Sequence, residues 1–417
     1  SRRSRSSWST RAGCWMAAPT DLDADAALSA ILARVRPLPA ETSALEDARG
    51  RFLARDLRAR TDNPPFDNSA MDGFALRARD ARGALRVAQL SRAGGALPRP
   101  LRPGEAARIM TGAPLPRGAD AVVPRELARE AGGLLRVDGP VRPGQHVRRR
   151  AGDVRRGQVL LRGGARIRPW EIAILAAQGF SRVPVSRVPR VGVLCSGDEL
   201  VDFRRAPGPG RIRDSNGPAL RAQLESWGFT AVDLGRCADE PAALRRAFRR
   251  ALGRVDALVV SGGVSVGDFD HTRKVLEGLG MRTAFWRVRI KPGKPLLFGT
   301  RGRVPVFGLP GNPISSLVCS QVFLRPALER LAGAEKARAG EFPLRARLAR
   351  AFRKPARLRQ YIFCRGARGR DGMRLEALQP QVSGFAGMGS RAEFLAVGPE
   401  GEGALRAGRI LCYRRLT

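Results

Sequence analysis

The sequence predicts a multidomain α/β protein built around a central α/β/α domain with a mainly parallel sheet, and three observations carry that expectation. From Arg190 onward, short apolar runs alternate with amphipathic stretches in the strand, loop, helix rhythm of a parallel sheet. Residues 66–140 and 342–417 are instead broken by Gly and Pro into short apolar pieces, which suits compact β-rich modules. The 417 residues also exceed what one core organises, at about 150 residues per domain.

Residues 1–15, rich in Arg and Ser and free of acid, precede Met16 and read as a non-native or presequence segment outside the fold. Leu28, Ile31, Leu32 and Val35 recur on one helical face, which opens an elongated helical and mixed linker domain made of residues 16–62 and 141–188. Pro169 and Gly179 bracket a second helix there. Between the two parts sits a β-rich insertion domain, residues 63–140, with strands near Phe74–Leu76, Leu85–Leu90 and Ala119–Val123. The α/β domain, residues 189–332, has strands expected at 191–195, 230–234, 257–260 and 304–308. Its helices are expected at 217–227, 241–252, 270–279 and 313–331. A linker at 332–341 leads to a small all-β domain, residues 342–417.

Composition excludes several classes of function. The 75 basic and 38 acidic residues give a net charge of +37, yet the arginines are spread over every segment and aromatics make up only 6%. A nucleic-acid surface would cluster its cations and interleave stacking rings. No apolar run approaches the roughly 18 residues that a membrane helix needs. Six cysteines stand apart without a CxxC pair, and two histidines are too few to build a zinc site or a His-based triad with them. Reduced thiols in a cytoplasmic protein are expected.

Chemistry is expected in the loops beyond the carboxyl ends of the strands. One such loop, Ser261, Gly262, Gly263, Val264 and Ser265, lets backbone N–H groups approach an anion, although a plain tight turn would read the same way. A second, Gly308, Leu309, Pro310, Gly311, Asn312 and Pro313, sets an N-cap candidate (Asn312) and an N1 proline before a helix, the pattern of an anion site. Lys291 and Lys294 lie between these loops in a chain with only five lysines, and compact ammonium groups suit a phosphate or oxyanion. Asp198, Glu199, Asp239, Asp268 and Asp270 fall at the same edge, as Mg²⁺ ligands or as helix caps and exposed loop acids. Cys195 ends an apolar strand and reads as a packed thiol.

The strings DNSAMDGFA, RIMTGAPLP, SGDEL, DSN, SGGVSVGD, IKPGKP and GLPGNP, in this order, resemble the molybdopterin molybdenumtransferase family of MoeA and gephyrin over nearly the whole chain from Met16. The resemblance implies a MogA-like molybdopterin-binding α/β domain. It also implies an enzyme that takes adenylylated molybdopterin and molybdate, uses Mg²⁺, releases AMP and yields the molybdenum cofactor. By motif it assigns Asp72, Thr111, Glu199, Asp239, Asp270 and Lys291 to catalysis. Asp239, Asp270 and Glu199 fall to the metal. Ser261, Gly262, Gly263, Ser265, Lys294, Gly308, Pro310, Gly311, Asn312 and Pro313 fall to substrate binding. A homodimer with a shared site is implied, with molybdopterin adenylyltransferase and apo-molybdoenzymes as partners, and no nucleic acid or membrane. Arg287 stands where the family often has Lys, Asp153 follows Ala151 and Gly152 rather than Gly and Glu, and His271 replaces a usual aromatic. The rival readings are an adenylyltransferase, which would need only residues 189–332, a scaffold or diverged paralogue, and a basic nucleic-acid binder.

Overall fold

The computed structural model describes residues 19–263, 271–335, 342–369 and 372–416. The chain divides into two compact units. One comprises residues 42–49 and 53–184; the other takes in the described residues up to Glu41, Gly50–Phe52 and everything from Val185 onward.

The larger unit contains a seven-stranded sheet. Its elements, in chain order, are β1 (Thr20–Leu22), α1 (Ala24–Arg34), β2 (Arg190–Ser196), α2 (Asn216–Ser226), β3 (Thr230–Cys237), α3 (Pro241–Leu252), β4 (Ala257–Ser261), α4 (His271–Gly278), β5 (Arg282–Val288), β6 (Leu297–Arg301), β7 (Val304–Leu309) and α5 (Pro313–Cys319). The strand order is β1-β5-β6-β7-β4-β2-β3. Only β6 runs against its neighbours β5 and β7, so the sheet is mainly parallel, as expected.

Both faces of the central strands are covered, which is why they read as unbroken apolar runs. Alternate residues feed opposite cores: Val193 and Val259 pack with Leu220 and Leu224 of α2, whereas Leu194, Leu258 and Val260 pack with Leu244 and Phe248 of α3. In α3 the buried residues Leu244, Ala247, Phe248, Ala251 and Leu252 form one stripe at helical spacing, started by Pro241. The buried face of α1 is Ala24, Ala27 and Ile31, rotated from the expected one, so Leu28 is only partly covered. Sequence periodicity missed β1, β5 and β6; in Arg282–Val288, Arg287 breaks the apolar run Ala284–Trp286 before Val288. The helical run after Pro313 reaches Leu331 through a π-helical turn at Ser320–Leu324.

Five strands after residue 342 (Leu344–Leu348, Arg359–Gly369, Gly372–Ala377, Phe394–Gly398 and Ile410–Arg415) close into a barrel around Leu348, Ile362, Leu375, Ala396 and Leu411. One short helix, Ala386–Arg391, joins two of these strands, and its Met388 packs with Phe363 and Leu395 in the main core. Ile290–Lys291 pairs with Arg359 and Gln360, which ties the lysine loop to the barrel.

The smaller unit holds a six-stranded sheet in the order Ala121–Pro124, Gly73–Leu76, Glu105–Ile109, Leu85–Ser91, Leu134–Val137, Ala128–Ala131. It also contains the helix Pro169–Ala177, which ends before Gly179 in a left-handed conformation (φ 72°).

Candidate active site

Parallel register brings the ends of four strands level: Cys195 lies beside Ser261, Ser196 beside Cys237, and Ser261 beside Leu309. The loops that follow β2, β3, β4 and β7 therefore share one edge, where they surround a cleft of about 530 Å³. Glu199, Asp239, Ser261, Gly262, Gly263 and the Pro310–Pro313 turn all line it. Gly262 adopts φ 94° and packs so tightly over the Ser196 carbonyl that a Cβ would overlap its oxygen. Its N–H donates to the Leu309 carbonyl at 3.1 Å, which joins the two loops at their strand ends.

Asp239 is half-buried and accepts a hydrogen bond from Ser196 Oγ at 3.1 Å, while its backbone N–H donates to Asp198 Oδ1 at 3.0 Å. Burial is the main reason its carboxyl titrates above the usual range; the nearby Asp198 and Glu199 charges add to it, against the Ser196 hydrogen bond and His271. Such a site favours a cation. Among the described residues no three His, Cys, Asp or Glu side chains converge on one point, and Ser265, Asp268 and Asp270 lie outside those residues. Cys195 is buried beside Asp214, and burial pushes its thiol far up, so it is the inert core group the sequence suggested.

Asn312 occupies the N-cap position of α5 without capping it. Its Nδ2 donates instead to Ser383 Oγ at 3.2 Å, and the N–H of Ile314 donates to the Ser383 carbonyl at 3.2 Å. The helix start thus directs its first donor to the C-terminal segment rather than into the cleft.

A second cavity, of about 430 Å³, adjoins the first through Pro295 and Asn312. Lys291 and Lys294, both exposed, stand on one wall; Gln360, Tyr361 and Ser383 face them from the C-terminal segment. Gln360 is 3% exposed, and its Oε1 has no hydrogen-bond partner. Lys294 Nζ lies 3.9 Å from Asp21 Oδ1, which Arg287 also approaches at 3.5 Å.

In the smaller unit, Thr111 donates to Asp72 Oδ1 twice, from its N–H at 2.6 Å and its Oγ1 at 2.7 Å. These bonds hold the exposed Asp72 carboxyl below its usual range. Asp153 accepts from Asn63 Nδ2 at 2.8 Å.

Two family models match the chain: the MoeA N-terminal region (domain I and II) over residues 22–179, and a "Probable molybdopterin binding domain" over residues 192–330. The molybdopterin molybdenumtransferase of Haemophilus influenzae is 38% identical over 317 residues, which cover 75% of this chain and 78% of that protein. The chain belongs to the molybdopterin molybdenumtransferase family. The Bacillus subtilis molybdopterin molybdenumtransferase is also 38% identical, over 69% of this chain and 70% of its own. Among solved structures, a molybdopterin biosynthesis MoeA protein from Pyrococcus horikoshii is similar with a TM-score of 0.81 at 26% identity, over 94% of this chain and 99% of its own.

The cleft gathers motifs that this molybdopterin molybdenumtransferase family member carries far apart in sequence. Three participants escaped sequence reasoning. Ser196 sits in the SGDEL string, but nothing local says that its hydroxyl meets Asp239. Ser383 lies in the C-terminal module with no local sign of a role, and the cavity it faces exists only because the barrel docks there. Asn216 lies in the DSN string with no local sign that it reaches two loops.

Proposed function

We propose that this chain inserts molybdenum into adenylylated molybdopterin, releasing AMP and giving the molybdenum cofactor. The observation that carries the reading is the joined pair of cavities: a carboxylate-edged cleft roofed by two glycine loops, and beside it a cavity walled by two of the five lysines. Family membership supports the transferase class, since the relatives are named for this activity.

The glycine loops Ser261–Gly263 and Gly308–Pro313 cradle the phosphate-bearing pterin and nucleotide, and Ser265 belongs to the same binding set by its motif. Lys291 and Lys294 neutralise the anionic charge of the pterin phosphate and of molybdate. Asp72, Thr111, Glu199, Asp239, Asp270 and Lys291 form the catalytic set. A Mg²⁺ ion fits this edge because the raised Asp239 carboxyl, crowded by Asp198 and Glu199, is relieved by positive charge, and because oxygen ligands from carboxylates and substrate phosphates suit Mg²⁺. Asp239, Asp270 and Glu199 would hold it, and when bound it supplies charge withdrawal at the phosphoryl centre. No side-chain nucleophile is required, in keeping with the inert Cys195.

The enzyme works in the cytoplasm as a homodimer with a shared site, one subunit's insertion unit contributing Asp72 and Thr111 to the other's cleft. The helix Pro169–Ala177 supports an unfilled interface: of its nine residues only Leu175 is buried, and Trp170 is 78% exposed. Molybdopterin adenylyltransferase supplies the substrate and apo-molybdoenzymes receive the product. No helix among the described residues is long and apolar enough to cross a membrane.

The test is AMP release from adenylylated molybdopterin by the purified chain, with and without molybdate and Mg²⁺. Release that needs molybdate and falls by roughly a hundredfold or more in Asp239→Ala is the expected result. Binding of the pterin with no AMP release under any oxyanion would replace this reading by a scaffold or a diverged paralogue.

A further inference from the structure

One buried polar side chain in the cleft has no part in the chemistry described above. Asn216, the first residue of α2, is 9% exposed and lines the cleft wall. Its Nδ2 donates to Ser261 Oγ at 2.8 Å and to the Gly311 carbonyl at 2.7 Å. The first is the opening residue of one glycine loop and the second the crest of the other, 45 and 95 positions away in the chain. Ser261 Oγ lies in turn 3.5 Å from Ser316 Oγ, which carries the connection into α5.

The orientation of this amide is fixed by its partners, because rotating it would set Oδ1 against the Gly311 carbonyl, acceptor against acceptor. The consequence is an Oδ1 that is buried with no hydrogen-bond partner. Buried polar atoms are rarely left bare, and those that are tend to mark a function rather than a fold requirement. The loops need such support: Gly262, Gly263 and Gly311 have no side chains of their own to set their separation. The helix that carries Asn216 is rigidly seated, with Gly217 N–H donating to Asp214 Oδ1 at 2.9 Å and with Leu220 and Leu224 fully buried.

We propose that Asn216 is a positioning residue of the transferase, whose single amide clamps the two glycine loops at the separation that grips adenylylated molybdopterin. The inference rests on the functional reading above, and the clamp acts on that substrate and not on molybdate, whose lysines stand in the neighbouring cavity.

Asn216→Asp keeps the volume and replaces the donor by an acceptor, and Asn216→Ala removes the group. In the full chain both are expected to unfold cooperatively and to raise the half-saturating concentration of adenylylated molybdopterin by about ten- to hundredfold. Half-saturation by molybdate and the rate at saturation should move by less than about twofold. Unchanged half-saturation for the pterin, equal losses for both substrates, or wild-type behaviour of Asn216→Asp would each overturn the clamp. Should Asn216→Asp fail to fold, Asn216→Ala carries the test. Calorimetric titration with AMP separates this inference from the functional reading: an inactive wild-type chain overturns the latter, whereas AMP bound equally by wild type and variants overturns the clamp.

Discussion

At Asp239, burial and two acidic neighbours act in the same direction, and the consequence for stability has a definite sign. Its carboxyl titrates above 3.8 in the folded chain, so the unfolded chain loses this proton first as pH rises. The contribution of Asp239 to stability therefore falls as pH climbs past about 4 and stays unfavourable at neutral pH. Asp239→Asn should raise the melting temperature at pH 7 while abolishing AMP release, and Mg²⁺ should raise the melting temperature of the wild type but not of the variant; differential scanning fluorimetry checks both. Glu105 has the opposite sign. Arg99, above all, with Arg86 and the Arg102 N–H, holds its carboxyl down to about 2. Its stabilisation is complete above about 4.5 and disappears as pH falls towards 2. Glu105→Gln should lower stability at pH 7 and flatten acid unfolding across that window, as followed by circular dichroism.

At the scale of elements, the lysine loop is held from below. Gly293 adopts φ 109°, and a Cβ there would overlap Cys319 Sγ in α5. Gly293→Ala should thus displace Lys291 and Lys294 and raise half-saturation by molybdate by about tenfold. Adding Cys319→Ala should recover part of that loss by making room, the remainder reflecting the strained backbone. No recovery in steady-state kinetics would place the damage elsewhere. The elements themselves were largely legible: α3 was bounded at Pro241 and Leu252 because a five-residue apolar stripe, an N1 proline and a terminal Gly253 agree. β5 and β6 were not, since neither RTAFWRV nor LFGTR shows a clear period, and the pairing of β6 with both β5 and β7 is set by the sheet.

For the whole molecule, a net charge of +37 surrounds anionic substrates. Long-range steering of this kind is screened within about 10 Å at 0.1 M salt. kcat/KM for adenylylated molybdopterin should fall several-fold as salt rises from about 20 to about 200 mM, with kcat little changed. In sedimentation analysis the 45.1 kDa chain should run at twice its mass.

The sequence alone determined the alternation of strands and helices and the strings that mark the family, because periodicity and turn chemistry are local properties. It also identified which loops carry glycine, lysine and carboxylate. Only the tertiary structure decided that Asn312 turns to Ser383 instead of capping its helix, that Asn216 joins loops 45 and 95 residues away, and that the lysines face a cavity walled by a barrel. Each of these depends on which side chain meets which across long sequence separations. That is fixed by strand order and packing, and no local pattern encodes it.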